Sequence, residues 1–345
     1  MSRHAFILGG TGQIGRAITG NLLDAGWRVT VAHRGSRELP NELVARGAKI
    51  ITLNRETPDE LPRALGSGAD ALIDVVAFEP SHGRQLLNLQ HSVGALVVIS
   101  SCSVYRDASG RSLDSIAQRG FPEFPDPIPE TQPIVTPGPA TYATRKVALE
   151  RLLLDNAIIP VTVLRPGAIC GLGSIHPREW WFVKRILDGR KAIPLAYRGT
   201  SRFHTSSAAN IAEVTRVALE VKGSRILNIG DPWAPTVAEI AALIAQHMSY
   251  SGKLIEVDGD EFTANVGVTP WSGLHPLVLD NGAALALGYT PITTYGNSVG
   301  PICDGLVEAA AGKDWRVLFP ILASYPADLF DYQLEDAVLK RTWNS

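Results

Sequence analysis

The chain has 345 residues, of which 45% are hydrophobic and 19% charged, with a formal net charge of -2. That composition excludes a disordered chain, and the near-neutral balance supplies neither a basic field for nucleic acid nor a polybasic stripe for a membrane surface. Three cysteines without a Cys-x-x-Cys spacing and eight scattered histidines exclude a disulfide framework and a legible metal site, and point to a reducing, cytoplasmic setting.

In chain order, Met1 to His4 lead into an apolar run at 5–8. It is too short for the apolar core of a leader or for a membrane span, and no later run reaches spanning length. A glycine turn and a predicted helix over 13–25 follow, then strands at 28–32, 49–53, 71–76 and 95–100, with a helix around Gln85 to Leu89. Residues 106–139 are rich in proline and read as a long irregular excursion, of the kind that forms lids and binding loops. A helix over 141–156 and a strand at 161–164 resume the alternation. Beyond Gly171 the rhythm weakens, with helices expected at 179–187, 207–221 and 236–248, a strand at 226–229 and an amphipathic segment at 334–339. Thr236 and Glu239 have the spacing of a capping box. Strands alternating with helices and reading as unbroken Val, Ile and Leu runs predict an α/β fold, a doubly wound (Rossmann) parallel sheet of about seven strands. A smaller C-terminal substrate lobe is expected to complete it. The expected domains are 1–170 for dinucleotide binding, with part of 203–230 returning to it, 171–320 for the substrate lobe and 321–345 as a C-terminal extension.

The turn after the first strand reads Gly9-Gly10-Thr11-Gly12-Gln13-Ile14-Gly15. Gly9 permits a tight turn, Gly12 lets a diphosphate approach the backbone, and Gly15 lets the helix pack on the strand, with free N–H groups at the helix start facing the phosphates. Gly9, Thr11, Gly12, Gln13, Ile14 and Gly15 are therefore the expected cofactor contacts here. After the second strand an NAD site would place Asp or Glu against the ribose 2′-hydroxyl. Arg34, Ser36 and Arg37 stand there instead, a set suited to a 2′-phosphate and hence to NADP, with NAD as the alternative.

Tyr142 and Lys146 are spaced i, i+4 at a predicted helix start, so both side chains share one face. A phenol ordinarily ionises near pH ~10; an ammonium one turn away is expected to lower that and fit Tyr142 for proton transfer at neutral pH. Ser100, Ser101 and Ser103 sit where the fifth strand ends, a place from which a hydroxyl points into the crevice of such a sheet.

Gly9-x-x-Gly12-x-x-Gly15, Ile99-Ser-Ser-Cys-Ser-Val-Tyr105, Tyr142-x-x-x-Lys146 and Leu164-Arg-Pro-Gly167 occur in the order found in the extended short-chain dehydrogenase/reductases. Over about residues 4–310 the chain resembles their NAD-dependent epimerase/dehydratase branch. The resemblance implies that Ser101 is the catalytic hydroxyl, Tyr142 the acid/base, and Lys146 a holder of the nicotinamide ribose as well. It also places Asn54 and Arg55 near the adenine, Ala77 beside the cofactor, and Pro166 and Ala168 at the nicotinamide end. Family members often form homodimers through a four-helix contact that includes the Tyr/Lys helix. Two departures bear on substrate: Ala168 stands where nucleotide-sugar enzymes commonly have Asn, and the segment after Arg202 fits their diphosphate-gripping pattern poorly.

The expected function is an NADP-dependent oxidoreductase acting on a carbonyl or hydroxyl carbon of a small molecule. A nucleotide-sugar epimerase or dehydratase with recycled cofactor is the alternative, and a non-catalytic dinucleotide-sensing or RNA-binding relative is the third reading. Trp180 and Trp181 are equally candidates for pocket lining and for packing. His204 is expected to be structural.

Overall fold

The structure is a computed structural model that describes residues 2–258 and 265–342. Residues 259–264 of the expected lobe and 343–345 of the expected extension lie outside them. The first half runs β1 (His4–Leu8), α1 (Gln13–Asp24), β2 (Arg28–His33), α2 (Asn41–Ala45), β3 (Lys49–Thr52), α3 (Glu60–Leu65), β4 (Ala71–Asp74), α4 (Pro80–Asn88) and β5 (Leu96–Ile99). After the proline-rich excursion, which holds only the short α5 (Ile116–Arg119) and tight turns, come α6 (Tyr142–Asn156) and β6 (Val161–Pro166).

Seven parallel strands make one sheet in the order β10-β6-β5-β4-β1-β2-β3, where β10 is Arg225–Ile229. The order reverses between β1 and β4, and a crevice opens at such a switch point at the carboxyl ends of the strands. The turn after β1 and the segment after β4 both lie there. Strands β4, β5 and β6 are buried at every residue, which accounts for their unbroken apolar runs: both sheet faces are covered. On one face α1 packs on α8 (Ala208–Glu220), with Ile14, Ile18, Leu22, Ile211 and Val214 in one cluster. On the other, α4 packs on α6, with Leu86, Leu149 and Leu153 in a second cluster.

The remaining chain builds a lobe. Strand β7 (Ala168–Cys170) pairs with β9 (Thr205–Ser207), and β8 (Ala192–Leu195) with β11 (Lys253–Glu256). Around them stand α7 (Trp180–Leu187), α9 (Val237–His247), α11 (Tyr295–Ala310), α12 (Trp315–Leu318), α13 (Pro320–Ala323) and α14 (Tyr332–Thr342), while α10 (Gly282–Ala286) returns to the sheet and packs on β10 with Ala284 in the α1/α8 cluster. Trp180, Trp181, Phe182, Ile240, Trp271 and Tyr295 form its core, so the two candidate tryptophans pack inside the lobe. Thr236 caps α9 by accepting from the Glu239 N–H at 3.1 Å while Glu239 bonds back, the expected box. Arg185 on α7 ion-pairs with Glu335, tying α14 to the lobe. No described helix is long and apolar enough to cross a membrane.

Among the elements not expected from the sequence are the lobe strands β7, β8, β9 and β11 and the sixteen-residue α11. A strand of three residues carries too little pattern to read, and Pro301 inside α11 marks a break rather than a helix interior.

Candidate active site

Close packing leaves no room for a Cβ at Gly9, Gly10 or Gly15 in the turn after β1. Gly9 has φ +80° and a Cβ there would meet Val76 at 2.5 Å; a Cβ on Gly15 would lie 2.4 Å from Gly10 Cα. At Gly12, by contrast, the nearest atom to an added Cβ is the Gly9 carbonyl at 3.8 Å. The turn is therefore tight against strand and helix and open on the side facing the crevice. Gly12 caps α1 without any side-chain bond, and no acidic side chain occupies the helix's first turn, which leaves the N–H groups of that turn for an anion. Gln13 Oε1 is enclosed and has no partner among the described residues. Thr11 and Ile14 are buried, with small exposed fractions. The open Gly12 position and the free N–H groups at the start of α1 fit the diphosphate of a dinucleotide, whereas Gln13 Oε1, an acceptor, needs a donor instead.

At the end of β2, Arg34, Ser36 and Arg37 are exposed. Neither arginine forms an ion pair among the described residues; Arg37 Nη1 donates to the Gly173 carbonyl at 3.3 Å. Arg16 lies close by, its pKa lowered by burial and by the charge of Arg37. The result is an uncompensated positive spot beside the glycine turn.

At the end of β3, Asn54 is exposed and its Oδ1 accepts the Glu56 N–H at 3.2 Å. Arg55 departs from expectation. Its Nη1 donates to Asp74 at 2.7 Å and its Nε to Gln85 at 2.9 Å, with Asp74 fully buried. The guanidinium is turned inward to neutralise a buried carboxylate, and its enclosed Nη2 has no partner among the described residues. Asp74 in turn accepts the Val76 N–H at 2.9 Å, so this pair shapes the segment after β4. Ala77 is fully buried and Ala168 is 1% exposed; the Ala168 N–H donates to the His204 carbonyl at 2.8 Å. Pro166 is buried within β6. The side chains of these three are enclosed, and the exposed member of the β4 segment is Phe78.

The three expected catalytic groups converge at the carboxyl edge of β5. Thr141 caps α6, its Oγ1 accepting the Thr144 N–H at 3.3 Å, and Asp114 Oδ2 accepts the Ala143 N–H at 2.9 Å, so the excursion pins the helix start. Tyr142 is thereby the first residue of α6, with 38% of it exposed. Ser101 Oγ accepts from the Ser103 N–H at 3.1 Å and the Ser103 hydroxyl at 2.9 Å, which directs its own proton elsewhere. Lys146 is 1% exposed; its Nζ donates to the carbonyls of Ala77 at 2.6 Å and Ile99 at 2.8 Å, and lies 5.6 Å from the Tyr142 ring centre and 4.8 Å from that of Phe78. An ammonium has three N–H donors, so one remains uncommitted.

The electrostatics differ from the expected tuning. Although 38% of the residue is exposed, desolvation of its hydroxyl pushes the Tyr142 phenol up to about 12, against the lowering effect of the Ser101 hydroxyl. Burial brings Lys146 down to about 8, against the nearby Asp74 and Glu150 carboxylates. The lysine is directed at two main-chain carbonyls instead of the phenol, so i, i+4 spacing alone does not depress the Tyr142 pKa. Beneath the site Glu150 and Arg165 form a buried pair at 2.5 Å, Ser100 donates to Glu150, and Tyr105 donates to Asn228 at 2.6 Å. This network fixes the Ser100–Tyr105 segment and was not legible from sequence. Cys102 is buried and its thiol is pushed up to about 12 by burial, so it carries no thiolate. His204 is buried and bonded to the Asp231 carbonyl at 2.7 Å, the structural role expected of it.

A cavity of about 240 Å³ lies against this region, with Leu113, Phe124, Phe203 and Leu277 in its wall. The same four residues share a cluster with Cys102 and Val147, the neighbours of Ser101 and Lys146. Arg178 and Arg202 also line it. Arg178 was not singled out by sequence, since a lone Arg after His176-Pro177 carries no motif. Among the described residues no group of His, Cys, Asp and Glu is arranged to hold a metal ion.

Residues 5–230 match the profile of the NAD dependent epimerase/dehydratase family. Among curated proteins, the chain is 29% identical over 185 residues to a 2-alkyl-3-oxoalkanoate reductase of Shewanella oneidensis, covering 50% of this chain and 46% of that protein. It is 24% identical over 255 residues to NADH dehydrogenase [ubiquinone] 1 alpha subcomplex subunit 9, mitochondrial, of Arabidopsis thaliana, covering 70% of this chain and 56% of that protein. The chain thus spans about half the length of these relatives. Among solved structures, it superposes on the UDP-glucose 4-epimerase of Thermus thermophilus, a complex with NAD, with a TM-score of 0.65 at 20% identity, over 89% of this chain and 100% of that one.

Proposed function

The chain belongs to the NAD dependent epimerase/dehydratase family, and from that premise we propose that it exchanges hydride between a nicotinamide dinucleotide and a substrate carbon bearing a hydroxyl or carbonyl oxygen. The observation that carries this reading is the convergence of Ser101, Tyr142 and Lys146 at the sheet's carboxyl edge, at the crevice that the open Gly12 turn faces. When bound, the dinucleotide supplies the hydride donor or acceptor. The chain does the rest. Ser101 donates a hydrogen bond to the substrate oxygen and holds it against Tyr142. Tyr142 gives that oxygen a proton when the carbon is reduced and removes it when the carbon is oxidised. Lys146, with two donors on main-chain carbonyls, keeps its third for the nicotinamide ribose.

Family membership and the fold shared with an epimerase support hydride that leaves and returns within one turnover, as in epimerisation or dehydration, over the net reduction expected from sequence. Net reduction is the second reading. It is favoured by the 29% identity with a reductase and by Arg202, which is already held by Asp126 at 3.2 Å and the Ala234 carbonyl at 3.2 Å. Following reduced-cofactor absorbance and product together, with nucleotide sugars and with small oxo and hydroxy compounds in turn, separates them. Conversion with no net change in reduced cofactor is expected; loss of one NADPH per product would establish net reduction in its place.

The cofactor proposed is NADP. Replacing Arg34 and Arg37 by Ala should weaken NADPH binding about 10- to 100-fold, the scale of hydrogen bonds to a charged group. NADH binding should change little. Equal losses for both dinucleotides would refute the assignment.

A further inference from the structure

We infer that the substrate carries a carboxylate and that Arg178 binds it, an assignment that rests on the reading of the Ser101–Tyr142 region as the reacting centre. Arg178 lines the cavity beside that region, and its Nε is enclosed without a hydrogen-bond partner. Its guanidinium forms no ion pair or hydrogen bond with any described residue; its Cζ lies 5.5 Å from the Phe203 ring centre, and the buried Glu179 carboxyl nearby feels its charge. A partly buried guanidinium with an unpaired Nε and no hydrogen-bonded counter-ion is a costly arrangement in a finished structure, which an anionic ligand relieves.

The surroundings identify the anion. Arg202, the other arginine in the cavity wall, is held by Asp126 and Ala234 and lies 5.4 Å over the Trp233 ring. One uncommitted guanidinium matches one carboxylate, which it grips through two parallel N–H bonds. A diphosphate brings more negative charge than a single fork balances. The walls from Leu113, Phe124, Phe203 and Leu277 are apolar, and about 240 Å³ is below the usual ~300–1,000 Å³ of drug-sized ligand pockets. A small acid with a hydrocarbon portion fits those walls. The reach of the Arg178 charge agrees with this placement, because it acts on the Cys102 thiol next to Ser101 and helps burial hold the His176 ring at about 3.

The test is calorimetric titration of the NADP-loaded protein with short- and medium-chain 3-oxo- and 3-hydroxycarboxylates, each beside its methyl ester, and with UDP-glucose. At least one acid is expected to bind about tenfold or more tightly than its ester. Arg178→Gln should erase that preference while leaving NADPH affinity unchanged, and Arg178→Lys should keep part of it. Tyr142→Phe should retain the acid preference while losing turnover, so a fault in the catalytic reading is distinguishable from a fault in this one. The inference is overturned if no acid is preferred over its ester, if Arg178→Gln leaves the preference intact, or if UDP-glucose alone binds in an Arg178-dependent way. The acid-to-ester comparison on the unmodified protein stands even where a variant fails to fold.

Discussion

Replacing Tyr142 by Phe is expected to lower turnover by about 10²–10⁴-fold, the usual contribution of a positioned general acid or base, with dinucleotide affinity unchanged. The ring and its packing at the head of α6 are retained, and Lys146 keeps its bonds to Ala77 and Ile99, so only the hydroxyl is lost. The pH dependence follows from the same group. With burial holding the phenol at about 12, it is protonated at neutral pH and ready to act as an acid. To act as a base it must first lose its proton. Turnover in the oxidative direction should therefore rise with pH through the alkaline range, and in the Phe variant the remaining rate should lack that rise. A Phe variant that turns over like the unmodified protein would remove Tyr142 from the chemistry.

The second large effect separates packing from binding in one turn of chain. Gly15→Ala puts a methyl group 2.4 Å from Gly10 Cα and 2.6 Å from the Gly9 carbonyl. Those are backbone atoms and yield only if α1 moves off β1, a strain of about 1–3 kcal/mol or more. Both the melting temperature and dinucleotide affinity should fall. Gly12→Ala meets nothing nearer than 3.8 Å, so stability should hold, yet the methyl group enters the space where a diphosphate would approach. Affinity should drop more than about tenfold with no loss of Tm. Equal behaviour of the two variants in both measurements would contradict this account of the turn.

The sheet was legible because its strands are buried on both faces and write their burial as continuous Val, Ile and Leu runs, as at 71–74 and 96–99. The glycine turn was legible because close approach leaves one residue type at Gly9 and Gly15. The Tyr142–Lys146 spacing correctly put both residues on one face of α6. What spacing does not encode is the direction of the ammonium, which depends on carbonyls from β5 and the β4 segment, far away in sequence. The inward turn of Arg55 was not legible for a similar reason: its partner Asp74 lies across the sheet, and a buried carboxylate captures the nearest guanidinium. The lobe was least legible. Its core comes from short elements spread from Ala168 to Leu322, with no repeating pattern, and Arg178 takes its meaning from Phe203 and the cavity rather than from its neighbours in the chain.

The central claim is that the dinucleotide and the Tyr142 phenol meet in one crevice, and a crystal structure of the protein with NADPH tests it most directly. The account predicts the diphosphate over Gly12 and the nicotinamide beside Tyr142, placed so that a substrate carbonyl between them lies about 3 Å from both the phenol and Ser101 hydroxyl oxygens. A diphosphate bound away from the Gly9–Gly15 turn, or a nicotinamide ring directed away from Tyr142, would contradict it.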